Sequence, residues 1–302
     1  GEFAVSVKLN SADFQRGGFS PEDAKQVVSM LNLLGVDLIE LSGGSYEAPA
    51  MHGQTRDGRT LAREAYFLEF AKDIASVARM PIMVTGGIRR LPVAGKDKLP
   101  RAGGYGVYYH FDYVGGPRNY KWINTNQVAK VWQQMDLAYQ RQARNLWIVN
   151  VGDIKPMEYP LSFFLRMAWN PEAMTPKALA AFPREWAGEA FGPALGGEIG
   201  EVLETYSTLA ARRKPELIDQ DTFPLGPDNG AGPLDGGEFG DIVDRWRALS
   251  AKVAAIKARL RPDQQDAYFQ LVEYPVTAFA NLYEMYYATA WNRRLSARND
   301  AR

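Results

Sequence analysis

The 302-residue sequence has no cysteine and only two histidines, His52 and His110. The first absence excludes disulfide scaffolds, cysteine-ligated zinc and thiol nucleophiles, and leaves oxidising and reducing compartments equally open. The scarcity of histidine leaves no room for a multi-histidine site, so no metal is expected, and a Ser-His-Asp relay would have to pass through one of the two. His52 lies in a polar stretch and reads as an exposed residue. Charge of one sign is also lacking: Lys plus Arg and Asp plus Glu each total 35. A neutral chain has no long-range field to recruit phosphate backbones or anionic lipid, so neither nucleic acid nor membrane is an expected partner.

No apolar run approaches the roughly 18 residues of a membrane-spanning helix, and residues 2–10 lack the basic stretch and apolar run of a secretory signal. Localisation therefore stays open. Walker loop, dinucleotide glycine fingerprint, His-Glu-x-x-His and Gly-x-Ser-x-Gly are all missing, which removes several common enzyme classes. What is present is an ordinary globular composition: 46% hydrophobic and 23% charged residues suffice for a sizeable core.

The first third alternates between two periods. Ala4 to Leu9 is a short apolar segment; Ser20, Pro21, Glu22 and Asp23 then form a helix start with a built-in cap. Ala24, Val27, Val28, Leu31 and Leu34 recur at helical spacing, and Gly35 stands where a helix stops. Val36 to Leu41 predicts a second strand, Thr60 opens a second helix, and Pro81 to Thr85 predicts a third strand. Strand, helix, strand repetition argues for parallel strands with right-handed crossovers, in a barrel or in an open sheet.

From Gly103 the texture changes to glycine and aromatics around His110 and Asp112. Thr125 is the expected cap of a helix bearing Val128, Val131, Trp132, Met135 and Tyr139, and Leu146 to Val151 is the fifth strand candidate. Beyond Pro160 only helical patterns remain: Leu161 to Trp169, Ile199 to Arg213, Phe239 to Leu260 and Asp263 to Arg298. Gly226 to Gly240 reads as a flexible connection, and Pro275 is expected to bend or break the last helix.

Two stretches carry family resemblances. Val7 to Phe19, Glu40-Leu41-Ser42-Gly43-Gly44, Arg63 to Phe67 and Val84-Thr85-Gly86-Gly87 resemble the Old Yellow Enzyme family of NADH:flavin oxidoreductases over about residues 4–94. The resemblance implies a (β/α)8 barrel holding FMN, with Lys8 facing the flavin pyrimidine and Gly86 and Gly87 donating to its phosphate. On their own residues, Gly86 and Gly87 read equally as a tight turn, and Lys8 as a lysine with a buried stem and solvated tip. The family's substrate-binding histidine pair has no counterpart.

The second stretch runs from Arg101-Ala102-Gly103-Gly104 through Val107 to Trp122 and Leu146 to Glu158, into Phe269-Gln270-Leu271-Val272 and Tyr274-Pro275. It resembles glycoside hydrolase family 115, the xylan α-glucuronidases, over about residues 88–299. That likeness implies an inverting hydrolase acting on glucuronic acid-decorated xylan, with no cofactor. Aromatic faces cover the apolar side of a pyranose while polar groups bond its hydroxyls, and the likeness makes His110, Tyr113 and Asn150 substrate-contact candidates at strand ends. Inversion needs two carboxyl groups, and the local candidates are Asp112 and Asp153, with Glu158 behind them; each also suits a helix cap or an ion pair. Where the hydrolase family has Asp-Asp-Asn ahead of Ile-Arg-Arg-Leu-Pro, this chain has Val84 to Gly87 ahead of Ile88 to Pro92. The two resemblances therefore meet near residues 88–92.

The expected fold is α/β: a partial (β/α)8, TIM-type barrel of about five parallel strands followed by an all-helical bundle. The expected pieces are 1–92, flavin-oxidoreductase-like; 93–170, hydrolase-like; and 171–302, helical. Carbohydrate hydrolase is the first functional reading, an FMN oxidoreductase the second, a catalytically silent chimera the third. An open barrel leaves strand edges unprotected, so copies of the chain are expected to self-associate; light scattering that returns a stable monomer would count against this.

Overall fold

A computed structural model describes residues 4–13, 17–42, 68–84, 103–114, 119–120, 123–227 and 234–298. The chain divides into two compact units, Gly1–Leu99 and Pro100–Arg302. The expected junction at residues 88–92, the boundary at 92, and Gly86, Gly87 and His52 lie outside the described residues.

In the first unit β1 (Ser6–Asn10), β2 (Leu38–Ser42) and β3 (Ile82–Val84) form a parallel sheet in the order β1-β2-β3. Helix α1 (Pro21–Leu31) begins where the sequence predicts. The Ser20 side chain accepts from the Asp23 amide while the Asp23 carboxylate takes the Ser20 amide, and Pro21 fills the first turn, where no backbone donor is needed. After the helix Gly35 adopts φ +69°, a conformation natural to glycine. Ala24 and Val28 of α1 meet Ile39 and Leu41 of β2 and Ala71 and Ile74 of α2 (Leu68–Ala75) in one core. Ile39 and Leu41 share a strand face, so Glu40 points to the other. The predicted helix start at Thr60 falls outside the described residues.

The second unit opens with one strand-helix-strand motif, β4 (Gly106–His110), α3 (Val128–Gln140) and β5 (Leu146–Asn150). β4 and β5 are parallel neighbours, with Gly106 opposite Leu146 and His110 opposite Asn150. Thr125 does not cap α3. The helix starts three residues later with Gln127 at the cap position and no side-chain cap bond; Thr125 is engaged elsewhere, by Lys214.

The remainder is helical: α4 (Glu158–Trp169), α5 (Pro176–Phe191), α6 (Pro193–Ala210), α7 (Gly237–Lys257), α8 (Gln265–Tyr268) and α9 (Tyr274–Ser296). α5 is absent from the helical segments expected from the sequence, and it carries Pro183 in its interior, where a proline removes a backbone donor. Thr175 caps it and Pro176 occupies its first turn, and burial of Phe182, Trp186, Ala187 and Phe191 outweighs the lost donor. Against it lies α6, close enough that a Cβ on Gly200 would come within 2.8 Å of the Arg184 backbone nitrogen. Helix α7 begins at Gly237, inside the stretch expected to be a flexible connection.

Pro275 does not break the last rod. A single π-helical turn at Phe269–Glu273 joins α8 to α9, with the Tyr274 amide reaching back to the Phe269 carbonyl. That wider turn accommodates the missing proline donor at the start of α9. Phe164 of α4 joins strands to helices, its ring lying 6.4 Å from Tyr109, 6.1 Å from Phe111 and 6.0 Å from Trp147. Further along the same core, Trp246 of α7 is fully buried against Phe279 and Tyr283 of α9.

Candidate functional site at the ends of β4 and β5

Alternation along β4 decides which side chains reach the site. Val107 and Tyr109 pack into the helical core, so Tyr108 and His110 occupy the opposite face; on β5, Trp147 and Val149 face the core and Asn150 the other side. The register then sets His110 beside Asn150 at the carboxyl ends of both strands. The Asn150 side-chain nitrogen lies 3.4 Å from His110 Nδ1, and that same ring nitrogen is 3.3 Å from the Asp112 carbonyl. Asn150 Oδ1 accepts from the Gly152 amide at 3.0 Å, which fixes the turn after β5. Two residues 40 positions apart thus converge, as parallel pairing through the single helix α3 requires.

Tyr113 has the wrong strand parity to join His110 from within β4. It reaches His110 because the strand has already ended: Tyr113 forms an isolated antiparallel bridge with Tyr120, and its ring stacks on His110 at 5.6 Å and 29°. The Tyr108 ring also lies against His110, with centres 4.6 Å apart and the planes tilted by 47°. Tyr108 and Tyr113 are 37% and 52% exposed, so the three rings present a solvent-facing aromatic surface. Burial pushes the Tyr113 hydroxyl above its usual range, and burial, with the Tyr113 charge second, pushes Tyr109 up to about 12. Both hydroxyls are protonated donors at neutral pH. Tyr108 was not singled out from sequence, although the period-two rule that places His110 places it too.

The two carboxylate candidates differ sharply. Asp112 is only 4% exposed, its Oδ1 is buried without a hydrogen-bond partner among the described residues, and its side chain occupies the space a Cβ on Gly152 would need. Asp153 is exposed in the turn that follows β5. Glu158 opens α4, where Lys155 and the Gln270 amide both reach its Oε1, at 3.1 and 2.6 Å. It serves there as a tie between the turn after β5 and the π turn.

In the first unit, Lys8 forms a 2.5 Å ion pair with Glu40, directly across the β1-β2 pairing. Glu40 is buried and the lysine side chain 44% exposed, so the Lys8 tip is held by a carboxylate that solvent does not reach. The glycines expected to complete a phosphate cradle, Gly86 and Gly87, lie outside the described residues. Among the described residues no cluster of three or more His, Asp or Glu is placed to hold a metal, and no helix is long and apolar enough to cross a membrane.

This aromatic strand pair falls inside the segment that decides the comparison with known proteins. Residues 83–217 match the model of glycosyl hydrolase family 115. In three dimensions the chain is similar to a family GH115 4-O-methyl-α-glucuronidase described as specific for decorated arabinogalactans, with a TM-score of 0.70 at 23% identity over 88% of this chain and 40% of that one. At that identity the likeness concerns the fold. A different family appears among curated relatives: an NADH-dependent flavin oxidoreductase of Neonectria sp. (strain DH2) is 41% identical over 98 residues, and one of Aspergillus parasiticus 34% over 88. Each covers 29% of this chain, and the chain spans only 12% and 20% of those two proteins. One chain thus carries likenesses to a family 115 hydrolase and to flavin oxidoreductases.

Proposed function

We propose that the chain carries the sugar-recognition part of a glycoside hydrolase of the family 115 type, and that both of its parallel sheets are pieces of (β/α)8 barrels. The observation that carries this reading is the convergence of His110, Tyr113 and Asn150 at the ends of two adjacent parallel strands, within the segment that matches the family. Active sites of barrels are built at that end of the strands. In this reading the Tyr113 ring covers the apolar face of a glucuronic acid unit, the Asn150 amide and His110 bond its hydroxyls, and xylan bearing such side chains is the substrate class.

Asp112 and Asp153 are the carboxyl pair under the same reading. Asp112 is buried and Asp153 exposed to solvent, and inversion requires one carboxyl group as acid and the other as base. FMN enters only through the flavin-like first unit, where Lys8 would be the flavin contact and would have to leave Glu40. Calorimetric titration with glucuronic acid tests the sugar site. The intact chain is expected to give a saturable isotherm that Tyr113→Ala weakens about tenfold, equivalent to about 1.4 kcal/mol. Indistinguishable isotherms would remove Tyr113 from the site.

A further inference from the structure

Lys214, which follows α6, is largely buried yet plays no part in the site as described. Its ammonium group donates to the Thr125 carbonyl at 3.2 Å and to the Thr125 hydroxyl, 89 positions earlier in the chain. The same nitrogen lies 6.0 Å from the centre of the Tyr120 ring. From within α6, the Tyr206 hydroxyl donates to the neighbouring Asn124 carbonyl at 2.5 Å. Asn124 and Thr125 are buried. The end of α6 therefore grips the connection between β4 and α3 at consecutive residues.

That connection is the segment that shapes the aromatic surface. Tyr120 bridges Tyr113 through paired backbone bonds, with ring centres 6.2 Å apart, and Tyr113 stacks on His110. An ammonium group brings three donors and no acceptor, and Thr125 offers it two acceptors. Burial draws the Lys214 pKa down while the Glu216 charge opposes this. A purely apolar contact would fill the same space without fixing the height of the segment.

We propose that Lys214 is a positioning residue: it sets the β4-α3 connection and, through Tyr120 and Tyr113, the stacking surface over His110. Its importance for ligand binding rests on the sugar-site reading; its effect on the segment does not. Hydrogen exchange of the intact chain separates the two. In Lys214→Met the Tyr113 and Tyr120 amides are expected to exchange at least tenfold faster while the β5 amides keep their protection, and Thr125→Val should move the same amides in the same direction by less. Glucuronic acid affinity should fall at least tenfold in Lys214→Met and recover in part in Lys214→Arg. Unchanged exchange at Tyr113 and Tyr120 would overturn the proposal, as would acceleration spread evenly over α6 and α7, which would make Lys214 a general prop of the bundle. Faster exchange at these amides in a chain that binds no glucuronic acid even with Lys214 intact would uphold the positioning role and overturn the sugar reading.

Discussion

Trp246→Ala is expected to destabilise the second unit by about 3–5 kcal/mol, the range for removing a large aromatic from a packed core. Trp246 is fully buried, and its ring lies parallel to Phe279 at 4.9 Å and 2°. Tyr206 meets it edge-on at 5.9 Å, and Tyr283 lies tilted against it at 5.6 Å and 34°. One side chain thus joins α6, α7 and α9, and three rings would have to close the space it leaves. Trp246→Phe should cost clearly less, because an aromatic can still stack on Phe279. Urea denaturation followed by far-UV circular dichroism is the measurement, since helices of this unit dominate that signal. A midpoint unmoved in Trp246→Ala would mean that the α6-α7-α9 core is not what holds the bundle together.

The residues around Trp246 show why the bundle was legible. Ile242, Trp246, Leu249, Val253 and Ile256 alternate four and three apart and are all buried, so the periodicity alone identifies α7 and its inner face. The βαβ unit was legible for a similar reason, and the convergence of His110 with Asn150 follows from strand parity and parallel pairing. Failures cluster where local chemistry competes with tertiary burial. Pro183 argues against a helix, yet α5 forms because its aromatic face is buried; Pro275 argues for a break, yet a π turn absorbs it. Thr125 has the right character for a cap and the wrong neighbours, because Lys214 claims its hydroxyl and carbonyl. A partner 89 positions away leaves no mark on a local pattern. The burial of Asp112 was likewise invisible, since it depends on the turn after β5 folding back with a glycine at position 152.

That glycine is the basis of the second large effect expected. Gly152 has φ +68°, where a side chain strains the backbone, and a Cβ built there would lie 2.8 Å from Asp112 Cγ and 2.9 Å from Asp112 Oδ2. Gly152→Ala should therefore cost about 1–3 kcal/mol in backbone strain, and in addition push the Asp112 carboxyl group out of its pocket. Displacement is not free, because Asp112 also donates its amide to the Asn150 carbonyl and presents its own carbonyl to His110. Movement of Asp112 therefore loosens His110 and Asn150 together, and glucuronic acid affinity should fall along with stability. Because the Asp112 Cβ would itself lie 2.9 Å from the new side chain, Asp112→Gly in the Gly152→Ala background removes the steric part and leaves the backbone part. The double variant is expected to be more stable than the sum of the two single losses predicts, by an interaction energy within the roughly 0.5–3 kcal/mol seen for residues in contact. Additive losses in urea denaturation would show that Gly152 and Asp112 do not press on one another, and the closed turn that joins the ends of β4 and β5 would have to be abandoned.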